Sequence, residues 1–212
     1  RFYHRWGLTH RQIVALMSVL ALTFWSGVCV LGGVVLVLHP IELPAKFDLP
    51  FGVRTLGAIL LSIAVFYAII CLVWHKPWPI GKLHLRPPSL GLATAQASVA
   101  IVDLTISATA LYLVMPGDAV VPFPTVLAAY LVGITVSLIT QVPGGLGVLE
   151  LILWTLLADT VGKPVIASVL IFRVIYYILP LLVGMVVLVA HEIYSGAMEA
   201  RHDAEAFDST TT

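Results

Sequence analysis

Charge is what this sequence has least of. Asp, Glu, Lys and Arg make up only 10% of its 212 residues, against about 25% in soluble domains. No water-facing surface can be built from that supply, so an integral membrane protein is expected. Basic and acidic residues balance at 11 each, for a formal net charge of 0, which excludes the strongly basic footprint of a nucleic-acid binder. Cysteine is scarce too. Cys29 and Cys71 both sit in apolar runs and read as small core hydrophobes, not as a disulfide framework or a metal site. The sequence has no metal-ligand cluster, nucleophile elbow or Walker-type or dinucleotide glycine loop. Neither a metal nor a cofactor is expected, and the seven scattered histidines suit membrane edges better than metal ligation.

What the chain does have is hydrocarbon: 60% hydrophobic residues and a mean hydropathy of +1.04. Apolar runs at about 13–38, 53–74, 90–115 and 164–189 are each long enough to span a bilayer. The first carries Gly27, Gly32 and Gly33, small residues that let helices approach closely. Two shorter runs, 125–140 and 147–158, flank a break. The expected fold is an all-α polytopic transmembrane bundle with a broken or re-entrant helix pair around residues 125–158. Residues 1–191 form the membrane domain, and 192–212 a polar tail or linker. The opening at Arg1, without methionine, leads us to expect further spans upstream.

Loop charge sets an orientation. Arg1–Arg11 carries three arginines, two histidines and three aromatics, and loop 75–88 carries Lys76, Lys82, Arg86 and Trp78. Positive, aromatic segments of this kind belong on the cytoplasmic face. Loops 39–52 and 116–124, the latter with Asp118, belong outside. The short pair does not change parity, so the C-terminus is expected inside.

The break itself is Gln141-Val-Pro-Gly-Gly-Leu-Gly-Val-Leu-Glu150. Pro143, Gly144, Gly145 and Gly147 cannot continue a helix cheaply. At membrane depth, irregular backbone is tolerated only where protein or a water-filled cavity satisfies it. Glu150 follows directly, and Gln141 precedes it. A broken helix beside an ionisable group points to a transport site; a tight turn with an interfacial carboxylate is the plain alternative. Two more ionisable groups lie deep in apolar sequence, Asp103 and Arg173. Gln96, Asp103 and Ser107 fall near one helical face, and Thr105 and Thr109 flank it. Arg173 lies too far from either span end to snorkel and is expected to face a carboxylate or an anion, phosphate above all. Tyr176 and Tyr177 line a path or simply pack near the bend at Pro180. A structural ion pair is the competing reading of the three charges.

The motifs Gln141–Glu150 and Phe-Arg-Val-Ile-Tyr-Tyr-Ile-Leu-Pro (172–180), with the opening Arg-Phe-Tyr-His-Arg-Trp-Gly-Leu-Thr and the Asp103 span, resemble the membrane region of the bacterial lysylphosphatidylglycerol synthetase/flippase family. That resemblance covers nearly the whole chain up to the tail. It implies a multi-pass inner-membrane domain that moves lysyl-phosphatidylglycerol-type lipid to the outer leaflet, supporting resistance to cationic antimicrobial peptides. It also implies a partner, a cytoplasmic synthetase domain on the C-terminal side, which this chain does not contain, so no enzymatic activity is expected of it. Arg173 would hold the lipid phosphate, and Glu150 and Asp103 would face the cationic amine. Transport of another polar lipid or anionic solute, a non-catalytic scaffold, and homo-oligomerisation through the glycines of the first span remain open.

Overall fold

Proline and glycine punctuate the chain, and helices form between them. The computed structural model describes residues 10–41, 52–73, 78–80, 83–85, 88–116, 121–192 and 194. The arginine-rich opening 1–9, the loop 42–51, Asp118, and the tail beyond 194 lie outside the described residues, as do the roles expected of them. Helix α1 runs His10–Leu38 and α2 runs Val53–Val73. A short antiparallel hairpin follows, β1 at Trp78–Ile80 and β2 at Leu83–Leu85. Helix α3 runs Leu90–Leu113; Ser89 caps it, its Oγ accepting from the Leu92 N–H at 3.3 Å. Helix α4 is Phe123–Ile139, α5 is Val148–Val161, and α6 extends from Pro164 to Glu192. Pro124 and Pro164 stand in the first turns of their helices, where a missing N–H breaks no intrahelical bond.

The all-α bundle expected from the sequence is what forms. Among the described residues, four helices are long and apolar enough to cross a membrane: α1 over Met17–Leu38, α2, α3 and α6. Within the positive loop 75–88 the backbone forms this short β-hairpin, which the sequence did not lead us to expect.

The chain divides into two compact units, residues 1–168 and 169–212. In the first, α4 is central and meets α1, α3 and α5. It buries six residues in succession, Val126 to Leu131; a helix apolar on every face has nowhere to go but inside. Around it, α1 crosses α2 and α3 at small residues. A Cβ on Gly33 would come within 2.7 Å of the Leu61 side chain, and one on Gly57 within 3.0 Å of the Gly33 carbonyl oxygen. A Cβ on Gly27 would collide with Ala100 of α3. Gly27 and Gly33 therefore act as the close-approach points expected of them, inside one chain. Gly32 differs: it lies on an apolar cavity of about 250 Å³ between α1, α2 and α4, beside Trp25, Leu60 and Leu131. Cys29 and Cys71 are buried free thiols within this packing, as their apolar settings suggested.

The outward faces are hydrocarbon. Phe66 on α2 is 64% exposed and Val99 on α3 is 66% exposed. In the second unit Leu181, Val186 and their neighbours are exposed as well. Apolar surface this continuous is stable against lipid, not water. The chain is a membrane protein.

Candidate functional site

Helices α4 and α5, at 17 and 14 residues, reach about 25 Å and 21 Å at 1.5 Å per residue. The hydrocarbon core is about 30 Å thick. Pro122 and Thr125 at the start of α4, and Leu156 and Thr160 at the end of α5, line one cavity together with Pro40 and Ile41 after α1. The pair is thus an antiparallel hairpin that returns to the end of the bundle where it began.

Its tip is the sequence break. Backbone φ is positive at Gln141 (53°), Gly144 (64°), Gly145 (59°) and Gly147 (81°). Glycine adopts that region freely; Gln141 does so against the steric preference of an L-residue. The Gly145 N–H donates to the Val142 carbonyl at 2.8 Å and closes the Pro143–Gly145 turn. The turn folds back on α4, where a Cβ on Gly145 would stand 2.8 Å from Ser137. Farther along the hairpin, a Cβ on Gly133 would stand 2.7 Å from Leu149. Ser137 is buried, and its hydroxyl donates to the Gly133 carbonyl at 2.8 Å. Sequence reasoning missed Gly133 and Ser137, whose only signal is small size inside an apolar run.

Glu150 is the third residue of α5. Its Oε2 accepts from the Gly147 N–H at 2.8 Å, the carboxylate half of a capping box whose other half is impossible because the cap residue is glycine. The negative charge also sits in the first turn, where the helix dipole favours it. Half-buried Glu150 and exposed Gln141 flank the tip, so the structure brings together every predicted residue between 141 and 150.

The polar stripe expected on α3 is divided. Asp103 lies on the exposed side near Val99, Val102 and Ile106, whereas Ser107 is 1% exposed. The hydroxyls bond to their own helix: Ser107 Oγ donates to the Asp103 carbonyl at 2.9 Å, Thr105 to Ile101 at 2.6 Å, and Thr109 to Thr105 at 2.7 Å. Serine and threonine in apolar surroundings commonly satisfy themselves in this way. Ser107 does not share an open face with Asp103, because the helix edge falls between them.

The second unit holds the other group. Arg173 is buried and is followed by a π-helical turn, Val174–Ile178, in which the Leu179 N–H donates to the Val174 carbonyl. Pro180 supplies the cause. It has no N–H for the Tyr176 carbonyl, and its ring crowds that carbonyl, so the preceding turn widens. Widening brings 176 and 177 to either side of 172 on one broad face, whereas in an α-helix 177 would lie about 140° around the axis from 172. Phe172 stacks on Tyr176 at 5.2 Å between centroids, and Tyr177 meets both edge-on, at 6.0 Å and 5.5 Å. The Arg173 guanidinium carbon lies 5.9 Å from the Tyr177 ring centroid, within cation–π range. Arg173, Tyr176 and Tyr177 thus stand in one cluster within this unit. Phe172 was missed, although its spacing of four and five residues from the tyrosines was visible.

No family profile matches the sequence. The chain is 32% identical over 203 residues to uncharacterized protein slr0712 of Synechocystis sp., covering 95% of this chain and 63% of that protein. It is 31% identical over 208 residues to inner membrane protein YbhN of Escherichia coli, covering 96% of this chain and 65% of that protein. The chain therefore spans somewhat less than two thirds of each relative's length.

Proposed function

We propose that this chain is a lipid-translocating membrane domain that carries a polar phospholipid headgroup between leaflets of a bacterial inner membrane, with C-terminus cytoplasmic, and performs no covalent chemistry. The observation that carries this reading is the α4–α5 hairpin. Two helices too short to span place four left-handed residues and a carboxylate at one tip, an arrangement that membrane proteins reserve for protein-lined or wet paths. Similarity to a protein named for the inner membrane supports the location. The aminoacylated, lysyl-phosphatidylglycerol-type substrate comes from the sequence resemblance and belongs to this proposal.

In this reading Arg173 binds the lipid phosphate through its planar donors, and the Phe172–Tyr176–Tyr177 cluster fixes its position. Glu150 and Asp103 favour the cationic amine and Gln141 lines the path, while the acyl tails stay in the bilayer. One oxygen of Glu150 is occupied in capping α5. That observation favours a second, structural reading for this one residue, in which its charge is incidental to transport.

Substrate class is tested by lipid-dependent stabilisation, since a ligand bound only by the folded state raises Tm with concentration. The detergent-solubilised chain is expected to gain Tm with lysyl-phosphatidylglycerol, less with phosphatidylglycerol and least with phosphatidylcholine. Equal shifts with all three would remove the aminoacyl lipid as the favoured substrate.

A further inference from the structure

Of the three glycines in the first span, Gly27 and Gly33 are held small by a neighbouring helix, and Gly32 is not. A Cβ on Gly32 would stand 3.7 Å from the Leu60 side chain and 3.9 Å from that of Leu131, ordinary van der Waals contact. Glycine inside a helix is destabilising relative to alanine, so packing gives no reason for it here. What the missing side chain leaves is space. Gly32 lines the apolar cavity of about 250 Å³ between α1, α2 and α4.

The cavity is long and narrow. Its α1 wall runs from Trp25 to Leu36, about 16 Å along the helix axis at 1.5 Å per residue. A volume of about 250 Å³ drawn out over that length is a channel about 4 Å across, close to the contact distance between two carbon atoms. That width suits one hydrocarbon chain and nothing broader. None of the lining side chains is charged, so neither an ion nor a charged headgroup finds a match in it. Trp25 at the rim is 41% exposed, and Leu60 and Val136 are half-buried, so the channel opens sideways between helices. It does so within the span Met17–Leu38, at the depth where a bilayer is hydrocarbon.

One end of the channel lies close to the hairpin tip. The end of α1 and the start of α4 line a common cavity, so Trp25 lies toward the far end of α4. There Val136 lines the channel, and the next residue, Ser137, is the one that Gly145 of the tip folds against.

We propose that this channel binds one acyl chain of a bilayer phospholipid, entering between α1, α2 and α4, and that Gly32 is kept small to admit it. The channel selects a tail and is indifferent to the headgroup. A lipid held by its tail here stays within reach of the α4–α5 tip. That consequence rests on the proposed function, whereas binding of the chain does not.

The test uses the whole chain in nanodiscs, with phosphatidylcholine or phosphatidylglycerol that carries a photoreactive diazirine midway along one acyl chain. Label should concentrate in peptides holding residues 25–36 and 131–136. The reference level is that at Phe66 and Val99, which are exposed and report ordinary boundary lipid. Both headgroups should label alike. Gly32→Leu, whose side chain extends past the Cβ position into the channel, should lose the excess label down to the Phe66 level. Gly32→Ala should move two readouts in opposite directions, raising Tm because packing allows the methyl group and lowering the label because the channel narrows. Val136→Phe narrows the channel from α4 and should lose the label too, without touching α1. Leaflet exchange is not the readout, so a chain that moves no lipid still tests the proposal. Equal label at 25–36 and at Phe66 and Val99 in the parent, or undiminished label in Gly32→Leu and Val136→Phe, overturns it. So does a crosslink from the channel residues to another protein segment or a second copy in place of lipid.

Discussion

Gln141 and Glu150 carry opposite kinds of information about the hairpin tip. Gln141 sits at φ 53° just past the end of α4, a position where glycine would be at ease and an L-residue is strained. Gln141→Gly should stabilise the chain by about 1 kcal/mol, read as a higher Tm in detergent. A rise in stability together with slower lipid exchange would show that the glutamine side chain is kept for transport. At Glu150 two substitutions separate structure from charge. Glu150→Gln retains an oxygen acceptor for the Gly147 N–H, so its Tm should stay near the parent's. Glu150→Ala loses the bond and should cost about 1 kcal/mol. If both slow lipid exchange equally, the charge matters; if only the alanine variant does, the cap does.

At the scale of elements, boundaries were far more legible than faces. Prolines 40, 116, 122 and 164 and the glycines 144, 145 and 147 interrupt apolar runs, and helix ends fall within a few residues of them, because a missing N–H or a cluster of unconstrained φ angles makes continuing the helix costly. The final span ran slightly longer than expected, to Glu192. Faces were not legible. In α3, Leu104 is 3% exposed and Val102 56%, yet both are apolar, because lipid and protein interior ask for the same side chains. The division of Asp103 from Ser107 was hidden for that reason. The β-hairpin was hidden by its prolines, which argue against strand, and the π turn by the fact that Pro180 ordinarily signals only a kink. The π turn makes its own prediction. Pro180→Ala restores a donor for the Tyr176 carbonyl and should convert the turn to α, drawing Tyr177 away from Phe172. A double-mutant cycle between Phe172 and Tyr177 should show about 0.5–1.5 kcal/mol of coupling in the parent and little in Pro180→Ala. Undiminished coupling would mean that another contact, not the proline, sets the widened turn.

For the whole molecule, the packing that matters is the crossing of α1 with α2, where Gly57 lies on the Gly33 carbonyl. Gly57→Leu pushes a side chain against backbone that cannot yield and should cost about 1–3 kcal/mol; an unchanged Tm would show that the two helices are not locked there. The central claim is that the chain moves a phospholipid headgroup and that Arg173 grips its phosphate. Leaflet exchange of fluorescent lysyl-phosphatidylglycerol in proteoliposomes, followed by dithionite quenching, tests it most directly. The account predicts selective exchange of that lipid over phosphatidylcholine, slowed about ten- to hundredfold in Arg173→Ala by loss of a charged hydrogen-bonding partner. Exchange at the parental rate by a folded Arg173→Ala chain, or equal exchange of every lipid, would contradict it.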